Sequence, residues 1–138
     1  MRSFVVEDRR ALMKALLLED SFDHFLLSEV AIRKGAFLSI DGHEPEGKII
    51  NYGQLRGIVY RFIQGNETPS YMKFVLLSPE ELPGVESRSI NIIFREETLI
   101  VTSGFSYREF IPDKTEEGNW DEQVKSFLTT MGIGFNVV

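Results

Sequence analysis

Residues 51–78, NYGQLRGIVYRFIQGNETPSYMKFVLLS, hold in succession a helix pattern, a turn and a strand pattern, and their reading decides the fold. Leu55, Ile58, Val59, Phe62 and Ile63 recur at helical spacing and make one apolar stripe, with Gln54, Arg56, Arg61 and Gln64 mostly off it. Gly65 supplies the left-handed backbone that closes a helix, and Asn66 and Pro69 turn the chain. Tyr71–Leu77 then runs on as an apolar, partly β-branched strand. A helix folding back on a strand builds core, so Phe62 and Phe74 are expected to share it. Nothing in the stretch names a reaction.

Upstream, Phe4, Val5 and Val6 read as an edge strand, and Asp8 offers an N-cap for a helix to about residue 18, with Leu12, Ala15 and Leu16 inward. Asp20-Ser21 breaks it. Residues 22–33 follow as a strand, with Leu26, Val30 and Ile32 on one face and Phe25, Leu27 and Ala31 on the other. A turn at Lys34-Gly35 and a returning strand over residues 36–40 complete a hairpin, and residues 41–47 are a polar loop. Downstream, Ser78-Pro79-Glu80-Glu81 has the form of a one-turn helix start. Residues 89–95 and 98–105 alternate cleanly about Glu96-Glu97 as a second hairpin. Residues 107–111 either extend its last strand or form another beyond a kink at Gly104. Asn119 and Glu122 open a helix carrying Trp120, Val124, Phe127, Leu128 and Met131. Gly132 and Gly134 release the chain into an apolar tail that either docks or stays free. The sum is an α+β architecture: a mainly antiparallel sheet of five or six strands packed against about three helices.

A chain of 138 residues fits one domain, residues 1–138, able to bury a core without covalent staples. The absence of cysteine removes disulfides and thiol chemistry and fits a reducing compartment, so the expected location is cytoplasmic. No apolar run is long enough for a signal peptide or membrane helix. A net charge of −6 with 15 scattered basic residues argues against nucleic acid and anionic membrane as partners.

Several blocks taken together resemble a family of small bacterial proteins, common in clostridia, that is catalogued only as a domain of unknown function. They are Leu16-Leu17-Leu18 and Phe22-Asp23-His24-Phe25-Leu26; Ile40-Asp41-Gly42; Leu55-Arg56 leading to Phe62-Ile63-Gln64-Gly65 and Thr68-Pro69; Lys73-Phe74 leading to Leu77-Ser78; then Thr102, Gly104, Phe110, Trp120-Asp121 and Phe127-Leu128. The resemblance spans nearly the whole chain. It implies a shortened member, since this chain is brief between Gly42 and Asn51 and between Ser78 and Arg88. It implies no activity.

His24 and His43 with Asp23, Asp41 and Glu44 would be the metal-ligating set, but no His-x-x-x-His spacing supports it, and no metal is assigned. Ser103, Ser106 and Ser126 lack a Gly-x-Ser-x-Gly elbow, so no catalytic residue is assigned. Gly53, Gly57 and Gly65 lie along a helix instead of before one, so no phosphate-binding loop and no cofactor is assigned. Glu29 and Asp41 could face one another across the first hairpin as a carboxylate pair. Arg56, Arg61, Lys73 and Arg95 could line one anion-binding face, or simply pair with acids such as Glu67 and Glu96. Among the tyrosines at 52, 60, 71 and 107, Tyr71 and Tyr107 join these cations as expected ligand or partner contacts.

The expected function is a binding or protein-interaction module without intrinsic catalysis, with an unknown protein partner or a second copy in a homodimer. The alternative is a small-ligand or anion-binding enzyme whose site assembles only in the fold. An open strand edge beside an apolar surface favours the first, and a deep polar cleft holding His24 or the named arginines favours the second. The edge expected to receive a partner is that of the second hairpin, residues 89–105.

Overall fold

The computed structural model describes residues 1–42, 49–65 and 67–138. Asn66, and most of the polar loop including His43, Glu44 and Gly47, lie outside the described residues. The elements are β1 (Arg2–Val6), α1 (Arg9–Leu17), β2 (Leu26–Lys34), β3 (Ala36–Asp41), α2 (Arg56–Ile63), β4 (Tyr71–Leu77), β5 (Val85–Arg95), β6 (Thr98–Tyr107), α3 (Thr115–Thr130) and β7 (Phe135–Val137). The strands form one antiparallel sheet in the order β3-β2-β4-β5-β6-β1-β7. The class is the expected α+β, with seven strands in place of five or six. The additional strand is β7, where the apolar tail docks: Phe4 pairs with Val137 and Val6 with Phe135.

Alternation along the strands sends one set of side chains into the core. Leu27, Val30 and Ile32 of β2, Met72, Phe74 and Leu76 of β4, Ile90, Ile92 and Phe94 of β5, and Leu99 and Val101 of β6 are buried with Phe4 and Val6 of β1. The helices contribute Leu12, Ala15 and Leu16 (α1), Val59 (α2) and Trp120, Val124 and Leu128 (α3) to the same cluster, so all three cover one face. The other face carries Tyr71, Lys73, Asn91, Ile93, Ile100 and Thr102.

Several local expectations are corrected. Residues 22–25 form a turn, not the start of a strand. A β-bulge between Leu27 and Glu29 shifts the phase, so Leu27 joins Val30 and Ile32 inside and Leu26 does not. In α2, preceded by a 3-10 turn over Tyr52–Gln54, Val59 is the fully buried residue; Leu55, Phe62 and Ile63 are half-buried, and Ile58 is 52% exposed. The helix at Ser78 does not form: its hydroxyl accepts from Arg88 Nη2 at 3.0 Å instead of capping a helical turn. Helix α3 starts four residues before Asn119, because the Asp113 carboxylate accepts from Thr115 N at 2.9 Å and Thr115 Oγ1 at 2.6 Å. Those two bonds hold the Asp113 carboxyl below its ordinary pKa. Strand β6 ends at Tyr107, and residues 108–111 add no strand.

The second hairpin closes as expected, with Glu96 (φ 53°) and Glu97 (φ 62°) both in the left-handed region of a tight turn. Gly53 is required by close approach, since a Cβ there would lie 2.8 Å from Asp23 Cβ; Gly57 meets no such neighbour.

Tyr52 ties the 3-10 turn to α1. It is fully buried, and its Oη donates to the Leu16 carbonyl at 2.8 Å. Burial pushes the phenol pKa far up, so the donor keeps its proton. Tyr52→Phe is expected to lose about 1–2 kcal/mol in urea unfolding with an unchanged m value, because it strands the Leu16 carbonyl. A neutral result would mean that another donor reaches that oxygen.

Candidate functional site

The sequence-named residues do not converge in one cleft. Arg56 makes a two-pronged ion pair with Asp23, Nε to Oδ1 at 2.8 Å and Nη2 to Oδ2 at 3.1 Å, and braces the turn before β2. Arg61 is exposed on α2. Tyr107 sits at the far end of β6, opposite Val85, with its ring 4.7 Å from Phe105 and 4.7 Å from Lys114 Nζ. His24 is exposed, with its ring 4.4 Å from Phe25. His43 lies outside the described residues. Among the described residues no three His, Cys, Asp or Glu side chains are placed to hold a metal ion.

Of the six expected contact residues, Tyr71, Arg95 and Lys73 are brought together. The strand register lines Tyr71 up with Arg95 on β5 and with Arg33 on β2, and Arg33 with Phe37 on β3. The result is a row across the helix-free face, Phe37–Arg33–Tyr71–Arg95, alternating aromatic rings with guanidinium groups. The Arg33 guanidinium lies over the Phe37 ring at 4.9 Å, which carries its charge outward above β3. Lys73 stands one row along and pairs with Glu29 at 3.3 Å. Glu29 and Asp41 are directly opposite, as the carboxylate reading required. They line a shallow depression with Ser28, Ser39 and Ile40, but Glu29 is engaged by Lys73.

This row ends at the open edge of the sheet. The expected edge was that of the second hairpin, and the register overturns it: β5 is held between β4 and β6, and β6 between β5 and β1. Among the described residues the uncovered long edge is β3. Gly42 N donates to Ser28 O at 3.0 Å, extending the register in which Ile40 faces Val30 and Leu38 faces Ile32. Antiparallel pairs alternate between hydrogen-bonded and non-bonded, so Leu38 and Ile40 turn their backbone groups to β2, and Phe37 and Ser39 turn theirs outward. Phe37 is 52% exposed, and neither proline nor lysine blunts the strand. The opposite edge, β7, is only three residues long.

Sequence reading missed Arg88. It is only 5% exposed, with its guanidinium 4.8 Å over the Trp120 ring and Nη2 donating to Ser78 Oγ and to Glu80 Oε2, both at 3.0 Å. Its Nε has no hydrogen-bond partner among the described residues. The signal was present, because Arg88 lies two residues before Ile90 in the inward phase of β5. It borders a small cavity of about 170 Å³ whose rim also carries Glu80, Glu81 and Glu86. Those carboxylates disfavour an anion there. Ser103, weighed above as a nucleophile, is likewise structural: its Oγ donates to Asp121 at 2.5 Å and accepts from Arg2 N at 3.0 Å, joining α3 to β6 and β1.

Fold and surface together define an α+β protein whose seven-stranded antiparallel sheet is backed by helices on one face and open along β3. The chain belongs to DUF5721, a family of unknown function, whose sequence profile matches residues 15–136. No curated protein and no solved structure matches the chain. No helix among the described residues is long and apolar enough to cross a membrane.

Proposed function

We propose that the chain is a protein-interaction module without catalysis of its own, which takes up an extended protein segment along the outer edge of β3. The observation that carries this reading is the outward N–H and C=O of Phe37 and Ser39 on a six-residue edge strand. An added strand gains backbone hydrogen bonds there, while exposed Phe37 and half-buried Leu38 and Ile40 offer apolar contact on both faces. The Arg33, Tyr71 and Arg95 row favours a segment with acidic side chains on the helix-free face. The cysteine-free composition supports a cytoplasmic setting, and the family resemblance a bacterial one.

The scattering of Arg56, Arg61 and Tyr107 weighs against the alternative of an anion-binding enzyme. A photo-crosslinking side chain placed at Ser39 is expected to capture protein in cells, and one placed at Ile58 on α2 is not. Ser39→Pro removes an outward N–H without touching the β2 ladder, so it is expected to abolish capture by a crosslinker at Phe37 while the circular dichroism stays unchanged. Capture confined to Ile58, or undiminished by the proline, would sink the reading.

A further inference from the structure

Resting on the strand-addition reading, we propose that the occupant of the β3 edge is a second copy of this chain, paired β3 to β3 about a two-fold axis at Ser39. The strand is complementary to itself in that one register. Phe37, Ser39 and Asp41 share the helix-free face and are the residues whose backbone groups point outward. An antiparallel pairing centred on Ser39 therefore sets Ser39 against Ser39 in a hydrogen-bonded pair and Phe37 against Asp41 on either side. On the helix face it sets Leu38 against Ile40 twice. These side chains are half-buried in the single chain and packed at the margin of its core, so pairing continues that core across the axis.

Charge agrees with the same register. Arg33, held above the Phe37 ring at 4.9 Å, reaches toward the position where the other copy presents Asp41. The two-fold repeats that contact, giving two matched pairs of opposite charge. Asp41 also interacts within its own chain, and the pairing adds the contact with Arg33 to that interaction. Shifting the strands by one residue would put Leu38 and Ile40 opposite the polar face. Shifting by two would set Phe37 against Ser39 and move Asp41 away from Arg33. The product is one continuous sheet of fourteen strands, twice the seven of one chain, with the exposed edges reduced to the short β7 at either end. Such a contact is isologous and closes on itself.

The chain lacks cysteine, so single substitutions report the register directly. Wild-type protein in sedimentation velocity is expected to run at twice the 15.8 kDa chain mass, and Ser39→Cys is expected to form a disulfide-linked dimer on mild oxidation. Phe37→Cys and Asp41→Cys should each crosslink poorly alone and efficiently when mixed. Ser39→Lys, which places like charges against each other without altering the ladder to β2, should return the protein to the single-chain mass with its far-ultraviolet circular dichroism unchanged and its unfolding temperature no longer dependent on protein concentration. A wild-type protein that stays monomeric, or a dimer that survives Ser39→Lys and does not crosslink through position 39, overturns the proposal. The edge reading is judged separately: monomeric protein whose cellular capture is still abolished by Ser39→Pro keeps the edge and changes the occupant. Loss of both position-39 crosslinking and proline-sensitive capture removes the two together.

Discussion

Phe74→Ala is expected to destabilise the protein by about 3–5 kcal/mol, the range for emptying the space of a phenylalanine in a close-packed core. Phe74 is fully buried at the middle of β4, with strands on both sides. Its ring meets that of Tyr52 edge to face at 6.2 Å. The site cannot collapse, because the backbone on either side is fixed by the ladders to β2 and β5. Phe62 belongs to the same core but is half-buried at the margin of α2, so truncating it should cost about 1–2 kcal/mol, less than a fully buried ring. Arg61→Ala, on the exposed side of that helix, should stay within about 0.5 kcal/mol. Guanidinium unfolding of the three variants provides the comparison, and a Phe74 variant no weaker than the Phe62 variant would mean that the helix, not the strand, holds the centre of the core.

Trp120→Ala should have an effect of the same order, about 3–5 kcal/mol, for a different set of reasons. The indole is 5% exposed, and its Nε1 donates to the Ser89 carbonyl at 3.0 Å, which fastens α3 to β5. It also underlies the Arg88 guanidinium at 4.8 Å. Truncation therefore opens a cavity, strands a carbonyl and leaves a buried cation without its aromatic partner. Trp120→Phe keeps most of the volume and a ring beneath Arg88 but loses the donor, so it should recover more than half of the loss. Equal losses in the two variants would show that the hydrogen bond, and not packing, dominates. The measurement is equilibrium unfolding followed by far-ultraviolet circular dichroism.

Much of this architecture can be read from period and punctuation. The period-two alternation of Tyr71–Leu77 and of the hairpin about Glu96 and Glu97 yields β4, β5 and β6 with their inward faces, because each strand buries one face only. Alternation fails where the backbone itself changes phase: the bulge at Leu27 and Glu29 moves Leu27 inside, which no count of apolar residues discloses. Helix ends depend on hydrogen bonds that compete for the same side chain. Ser78 is capable of capping a helix, but Arg88, ten residues later, takes its hydroxyl. The site was less legible than the fold, because an edge is a property of strand order. Nothing within residues 98–105 records that β1 lies against them, so alternation alone points to the second hairpin as the open edge instead of β3. Arg33 and Phe37 escaped notice because they belong with Tyr71 and Arg95 only once four strands are aligned. Arg88 could have been found, since an arginine in the inward phase of a strand must be either paired or stacked.

The place of β1 between β6 and β7 has a consequence for how the chain is made. Arg2 and its partner Ser103 are 101 residues apart in sequence, whereas the hairpins β2–β3 and β5–β6 join strands that are near neighbours. On the ribosome β1 is finished long before β6 and β7 leave the exit tunnel, so the earliest of the strands is among the last to be seated. In that interval β1 waits without its partner strands, leaving Phe4 and Val6 uncovered, and β5 waits with the edge that β6 will take still open. Closure by β1, sealed in turn by β7, is the slow non-local step that ends this exposure. Nascent chains stalled before residue 135 should therefore be the ones that engage chaperones and aggregate.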